Sequence, residues 1–327
     1  MVITMASRHL IRVILDQDSI SSPPSRAELW SDSIFRYLTW GCTLFIILLL
    51  FVILWEIGGK AIQAMRDYGL GFLVGTTWDA NKANFGILPH IWGTLYSSLL
   101  ALIIGGFAGI VIAIFLTQDF LPTSLQVIFK NIVELLAAIP SVVYGLWGIF
   151  VLIPLVRPVC DFLYHKLSWI PFFGTSLAGP GMLPAALVLA IMILPTVAAI
   201  TQDSLLAIPY KVKEAAYGMG TTRWEAILKV MLPTASQGIF GALVLGLGRA
   251  LGETMALAML VGNSNQISLS LFSPANTLAA LLALNFPEAG KVETQALMYA
   301  AIVLLIITLI VNMLGQAIVT LTSKHRS

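Results

Sequence analysis

Glu214–Pro233, with the sequence EAAYGMGTTRWEAILKVMLP, is the longest amphipathic, charge-bearing segment in an otherwise apolar chain. A short helix is expected to begin just after Pro209, because a proline can occupy the first turn of a helix without losing a hydrogen bond. Gly218 and Gly220 permit backbone angles that side chains disfavour, so we expect the helix to break there. A second amphipathic helix is expected at about 222–231. The segment is therefore predicted to be a polar element between membrane spans.

The composition places the rest of the chain in a membrane. Of its 327 residues, 58% are hydrophobic and only 10% are charged, whereas soluble domains have about 25% charged residues. A net charge of +2, without a basic cluster containing aromatic residues, argues against a nucleic-acid partner. Cys42 and Cys160 lie in different surroundings and suggest neither a disulfide framework nor a metal site.

Six apolar stretches are long enough to cross the hydrocarbon core as helices. The sequence therefore predicts an all-α integral membrane protein with six transmembrane helices. In the second stretch, Gly105 and Gly109 form a small-xxx-small pair that would let another helix approach closely. The predicted spans are 37–57, 93–116, 132–155, 183–203, 235–262 and 295–320, with the amphipathic segment at 204–233.

Basic residues predict the orientation. Most of the 18 lysines and arginines lie in the tails, the 117–130 link and the 204–233 segment, which favours a cytoplasmic location for these parts. Residues 1–36 are predicted to be a retained cytoplasmic tail, because the first apolar core comes too late and is too long for a signal peptide. Residues 323–327 form the predicted C-terminal tail.

Ionisable residues within predicted spans are candidates for the substrate path. Arg249 and Glu253 are four residues apart in span five, which predicts one shared helix face, and charges at this depth usually face a partner or a path. Arg249 could present its guanidinium to an anion, with Glu253 orienting or gating it, or the two could form an internal ion pair. Glu134, at the start of span three, is a weaker path candidate and could simply lie at the interface.

Motifs for independent chemistry are absent from the sequence. No G-x-x-x-x-G-K-[ST] phosphate-binding loop occurs, so the chain is not expected to bind ATP through such a loop. No hydrolase motif is found either. Energy for transport is therefore expected from a partner or from an ion gradient, and this chain is not expected to be an enzyme.

The spacing of Glu214-Ala215-Ala216, Gly220 and Val230-Met231-Leu232-Pro233 resembles the EAA loop of ATP-binding-cassette (ABC) importer permeases. Val230 stands where that pattern has Ile. The resemblance implies that Glu214, Ala215, Ala216, Gly220 and Pro233 belong to a coupling helix that docks into a groove of an ATPase subunit. From the physical pattern alone, an amphipathic helix lying at the membrane surface is the alternative.

Three further motifs resemble the phosphate-specific permeases of the PstC type over about residues 69–320. They are FGILP at 85–89, ELLAAIPSVVYG at 134–145 and GLGRALGETM at 246–255. The resemblance implies a type I ABC importer permease fold in a bacterial inner membrane, and transport roles for Arg249 and Glu253.

The implied partners are a homologous second permease, two cytoplasmic ATPases that bind the ATP, and an extracytoplasmic phosphate-binding protein. No cofactor is expected in this chain. Two alternatives remain open. One is a proton-coupled secondary transporter in which Glu253 or Glu134 carries the proton, and the other is an ABC permease for sulfate or molybdate.

Overall fold

The computed structural model describes residues 25–118 and 120–324. Predictions for residues 1–24 and 325–327, which include most of both tails, lie outside the described residues. The chain divides into two units, Met1–Glu56 and Ile57–Ser327. In the first unit, residues 26–56 are helical and their described side chains are exposed.

Ten helices organise the described residues, and six of them are long and apolar enough to cross a membrane. This confirms the prediction of a six-span helical protein. The helices are α1 (Arg26–Tyr68), α2 (Leu88–Thr117), α3 (Thr123–Ala138), α4 (Ser141–Leu167), α5 (Met182–Leu206), α6 (Tyr210–Gly218), α7 (Arg223–Leu251), α8 (Met255–Leu260), α9 (Leu278–Asn285) and α10 (Lys291–Lys324).

The spans are α1, α2, α4, α5, α7 and α10. A small antiparallel hairpin, β1 (Trp78–Asp79) and β2 (Asn84–Phe85), lies between α1 and α2. Single helical turns occur at Gly71–Val74, Pro171–Phe173 and Phe286–Glu288. The helix α1 is much longer than the predicted 37–57 span, because it begins within the predicted tail and continues to Tyr68.

The third span begins later than the predicted 132–155, because the chain breaks at Ile139 and Pro140. Ile139 is extended, with φ −71° and ψ 127°, as expected for a residue whose helical conformation would clash with the following proline. The break separates α3 from α4. The spanning helix is therefore α4, which continues to Leu167, beyond the predicted end of the span at 155.

The fifth span also differs in its bounds from the predicted 235–262. The helix α7 begins at Arg223 and ends at Leu251, and the short helix α8 starts only at Met255. Gly252 follows the last helical residue, so the chain leaves the helix between Arg249 and Glu253. This break changes the geometry of the candidate site.

The helix α5 has the largest buried share of the six spans, and glycines let α2 approach it closely. A Cβ atom at Gly105 would lie 2.5 Å from the carbonyl oxygen of Ala190, and one at Gly109 would lie 3.0 Å from Cβ of Val197. At 2.5 Å a Cβ atom would clash, so only glycine can occupy position 105. The predicted small-xxx-small contact is confirmed, and it sets α2 against the central span.

Candidate functional site

The helix α6 carries the motif Glu214-Ala215-Ala216. It begins at Tyr210, directly after Pro209, and ends at Gly218, as predicted. Gly220 has φ +80°, a conformation that costs little only for glycine. The hydroxyl of Thr221 donates to the carbonyl oxygen of Ala216 at 2.8 Å, which satisfies one acceptor at the helix end. The break after α6 is therefore fixed by local chemistry.

The two alanines of the motif have different environments. Ala216 is 1% exposed, whereas Glu214 and Ala215 are exposed. The surface that covers Ala216 belongs to its own chain. We name the cluster around it the coupling core, formed by the ends of α2, α5 and α6 and the start of α7: Ala113, Ile114, Leu205, Ile208, Ala216, Ala226, Ile227, Met231, Ala235 and Ile239.

The second amphipathic helix predicted at 222–231 is not separate, because it is the first part of α7. Thr222 and Glu225 form a capping box: Thr222 Oγ1 accepts from the Glu225 amide at 3.3 Å, and the Thr222 amide donates to Glu225 Oε2 at 3.0 Å. Lys229 Nζ lies 3.2 Å from Glu225 Oε1. The cap fixes where α7 begins, which the T-x-x-E spacing could have predicted.

Pro233 lies inside this continuous helix, two residues after the last residue of a π-helical segment at Ala226–Met231. The wider turn accommodates a residue that has no amide hydrogen to donate. Thr234 Oγ1 donates to the carbonyl oxygen of Val230 at 2.6 Å, so this acceptor is satisfied by a side chain. The motif's Leu-Pro ending therefore marks the passage from the coupling core into the span.

The link between α2 and α3 contacts the start of α7 through Phe120. Its ring centroid lies 5.1 Å from that of Trp224 and 5.2 Å from that of Phe115. The Arg223 guanidinium carbon lies 5.0 Å from the Phe120 centroid, within the range of a cation–π contact. The spacing of residues gave no signal for this contact, which joins two segments of the chain more than 100 residues apart.

Arg249 lies in the last turn of α7 and is exposed. Its Nη1 donates to Oγ1 of Thr196 on α5 at 3.4 Å. The guanidinium thus joins α7 to the central span α5. We name the cavity that it opens into the α7–α10 cavity, about 540 Å³ in volume and lined by Val244, Leu245, Gly248, Arg249, Asn312, Met313 and Gln316.

The sequence predicted that Arg249 and Glu253 share one helix face. They do not, because α7 ends at Leu251. Glu253 Oε1 instead accepts from the amide of Ala256 at 3.3 Å, near the start of α8. Within residues 25–118 and 120–324, no ion pair between Arg249 and Glu253 is found at 4.0 Å or less. The Arg249 guanidinium is therefore not neutralised by this carboxylate.

Glu134 lies in α3, not at the start of a span, and is 64% exposed. Its Oε1 is 3.9 Å from Nζ of Lys130, and both residues line a 190 Å³ cavity together with Gln202 and Asp203 of α5. Along α5, Asp203 is about 10 Å from Thr196, the partner of Arg249, at 1.5 Å per residue. The structure thus places Glu134 at a different level from Arg249.

Small residues join α4, which carries the end of the motif at 134–145, to the short helix α8. A Cβ atom at Gly145 would lie 2.7 Å from Sδ of Met259, and one at Gly148 would lie 2.7 Å from Leu260. These glycines let α4 pack directly on α8, just beyond Glu253. Thr196, which contacts Arg249, had not been predicted as a site residue, because only the three-dimensional packing brings it there.

The fold and the site together define a membrane permease, with an exposed amphipathic helix between spans and an arginine inside one span. Among solved structures, a bacterial alginate ABC transporter matches with a TM-score of 0.60 at 18% identity, covering 88% of this chain and 95% of that one. The methionine ABC transporter MetNI matches with a TM-score of 0.54 at 20% identity, covering 72% and 95%. These likenesses establish the type I importer permease fold.

The chain belongs to the family of binding-protein-dependent transport system inner membrane components, whose model matches residues 109–326. It is 38% identical over 301 residues to the phosphate transport system permease protein PstC of Haemophilus influenzae, covering 90% of this chain and 94% of the relative. It is 40% identical over 290 residues to the PstC protein of Mesorhizobium japonicum, covering 86% and 88%.

A probable PstC protein of Methanocaldococcus jannaschii is 36% identical over 281 residues, covering 83% of this chain and 89% of the relative. The resemblance predicted from the motifs is confirmed. The chain is a multi-pass inner membrane permease of a class that works with an ATPase and a binding protein.

Proposed function

We propose that this chain is the permease subunit of an ATP-driven importer of inorganic phosphate. It forms half of the translocation path, and a homologous second permease forms the other half. The observation that carries the proposal is Arg249, an exposed guanidinium on a spanning helix that opens into the α7–α10 cavity. Its five N–H donors suit an oxyanion, and the relatives named for phosphate transport supply the identity of that anion.

The other parts of the importer are two cytoplasmic ATPases that bind the ATP, and a phosphate-binding protein outside the membrane. Both termini and α6 lie in the cytoplasm, and this chain needs no cofactor of its own. The exposed side of α6 supports docking to an ATPase, because it presents large side chains to solvent: Tyr210 is 72% exposed and Tyr217 is 45% exposed. Glu214 and Ala215 lie on this exposed part of the motif.

Coupling follows from the contacts of Ala216. Closure of the ATPases moves α6, and the buried contacts of the coupling core pass that movement to α2, α5 and α7. Because interiors are close-packed, the spans respond as rigid bodies. Gly220 and the Thr222 cap hold the angle between α6 and α7, and Pro233 lies where α7 enters the membrane.

The three ionisable candidates have separate roles. Arg249 binds the anion in the membrane. Glu253 positions the start of α8 through the amide of Ala256. Glu134 lies near the end of α5 that leads to α6, so it contributes to the path only on the cytoplasmic side.

The test is uptake of radiolabelled phosphate by the complete complex, reconstituted in vesicles with ATP inside and the binding protein outside. We expect uptake that needs both ATP and the binding protein, with sulfate and molybdate failing to compete. Uptake by this chain alone, driven by a proton gradient without ATP, would instead establish the secondary transporter. Transport of sulfate or molybdate in place of phosphate would keep the class and change the substrate.

A further inference from the structure

Two amides in an apolar span face the same cavity as Arg249. The helix α10 has a mean hydropathy of 2.6 in its spanning window, yet it carries Asn312 and Gln316, both exposed. Residues four apart lie on one helix face. Both amides line the α7–α10 cavity together with Arg249. Polar side chains at such depth are costly against lipid and normally face a polar path or a partner.

Gly248 determines how closely Asn312 approaches α7. A Cβ atom at Gly248 would lie 3.2 Å from Oδ1 of Asn312, which is tighter than ordinary van der Waals contact. Gly248 is also the residue before Arg249, so the amide lies directly beside the segment that carries the guanidinium. Because position 248 has no side chain, the Asn312 amide and the Arg249 guanidinium can share the α7–α10 cavity.

The amides supply something that Arg249 lacks. A guanidinium carries only donors, whereas Asn and Gln each have an NH₂ donor and a carbonyl acceptor. At neutral pH, inorganic phosphate retains at least one P–OH group that can donate a hydrogen bond, whereas sulfate has no proton to donate. An acceptor beside the guanidinium can therefore distinguish the two anions, which a positive charge alone does not.

We propose that Asn312 and Gln316 complete the anion site of Arg249 and select protonated oxyanions by accepting their hydrogen bond. This inference rests on the proposed function, because it assumes that phosphate passes through the α7–α10 cavity. It assigns the choice between phosphate and sulfate to two residues on α10. Met313 lines the same cavity without a polar group and serves as the matched control.

The test is anion protection of a thiol in the purified complete complex. Leu245→Cys places the thiol in the cavity lining, in a background in which Cys42 and Cys160 are replaced by Ala. We expect phosphate to slow alkylation of this thiol about tenfold more than sulfate does, which is the size of one hydrogen bond to a charged group. Asn312→Leu and Gln316→Leu should abolish that difference, and Met313→Leu should keep it.

A full phosphate preference in both leucine variants would overturn the inference, and so would loss of the preference in Met313→Leu. If phosphate protects no better than sulfate before any α10 substitution while the complex still imports phosphate, the inference fails and the proposed function stands. If the complex imports no phosphate, the proposed function itself fails. Co-purification of the ATPase with each variant verifies that the complex is folded.

Discussion

The coupling core and the α7–α10 cavity are organised in opposite ways, although both include residues of α7. In the coupling core, Ala216, Ile227 and Met231 are at most 1% exposed. In the cavity, Arg249, Asn312 and Gln316 are polar side chains left exposed within apolar spans. The first region is built to hold its parts together, and the second is built to keep polar groups accessible.

One helix joins the two regions. Ile227 and Arg249 are both in α7, about 33 Å apart along its axis at 1.5 Å per residue. The helix α7 is tightly packed at the coupling core and open at the cavity. It can therefore act as a lever, because movement imposed at the packed end reaches the open end. Substitutions should therefore divide into those that remove anion binding and those that remove transmission.

The largest effect is expected at Arg249. Arg249→Gln removes the charge and leaves an amide of similar length, and the loss of two hydrogen bonds to an anion corresponds to more than about 100-fold in binding. We expect phosphate uptake to be abolished while the ATPase still co-purifies. Arg66→Gln, at another exposed arginine of the chain, is the control and should transport normally. Normal uptake by Arg249→Gln in reconstituted vesicles would disprove its role in the path.

The second largest effect is expected in the coupling core. Ala216→Leu adds three carbons to the coupling core, and overpacking of this kind costs about 1–3 kcal/mol. We expect a lower melting temperature for the purified chain and less phosphate imported per ATP hydrolysed. Ala215→Leu changes the neighbouring exposed alanine, so it should weaken ATPase binding without lowering the melting temperature. Equal losses of stability in the two variants would contradict the assignment of Ala216 to the core.

The sequence predicted the elements whose signals are local. Runs of apolar residues predicted the six spans, and the spacing from Glu214 to Pro233 predicted α6 and its break at Gly220. Helix ends at Ala138 and Leu251 were not predicted. Each break has a local signal, Pro140 or Gly252, but whether such a residue ends a helix depends on how the surrounding helices pack.

Two prolines show why. Pro140 and Pro195 both lie in predicted spans, yet the chain breaks at Pro140 and stays helical through Pro195. Pro195 is buried in the central helix α5, whereas Pro140 is exposed. Packing around α5 holds the helical conformation against the cost of the missing hydrogen bond, and no such packing surrounds Pro140. Similar reasoning applies to Glu253. It lies apart from Arg249 because α7 ends at Leu251, which the sequence analysis did not predict.

Substitution of Gly220, the hinge between α6 and α7, should give a smaller effect. A Cβ atom at Gly220 would meet nothing within 4 Å, so Gly220→Val acts only through the backbone, where φ +80° costs a side chain about 1–2 kcal/mol. We expect ATP hydrolysis to continue with reduced phosphate uptake. Gly218→Val is the matched control, because Gly218 is equally open but helical. Tight coupling in Gly220→Val, or equal losses in both variants, would refute the hinge.

The smallest effect is expected at the cap of α7. Thr222→Ala removes the hydroxyl that accepts from the Glu225 amide at 3.3 Å, and loss of such a cap costs about 1 kcal/mol. The start of α7 should fray, which loosens the connection between the coupling core and the span. We expect a slightly lower melting temperature and a modest fall in phosphate imported per ATP. Thr222→Ser keeps the hydroxyl and should restore both values, because the cap needs only the oxygen. If Ser behaves like Ala, the threonine methyl group and not the cap stabilises this end of the lever.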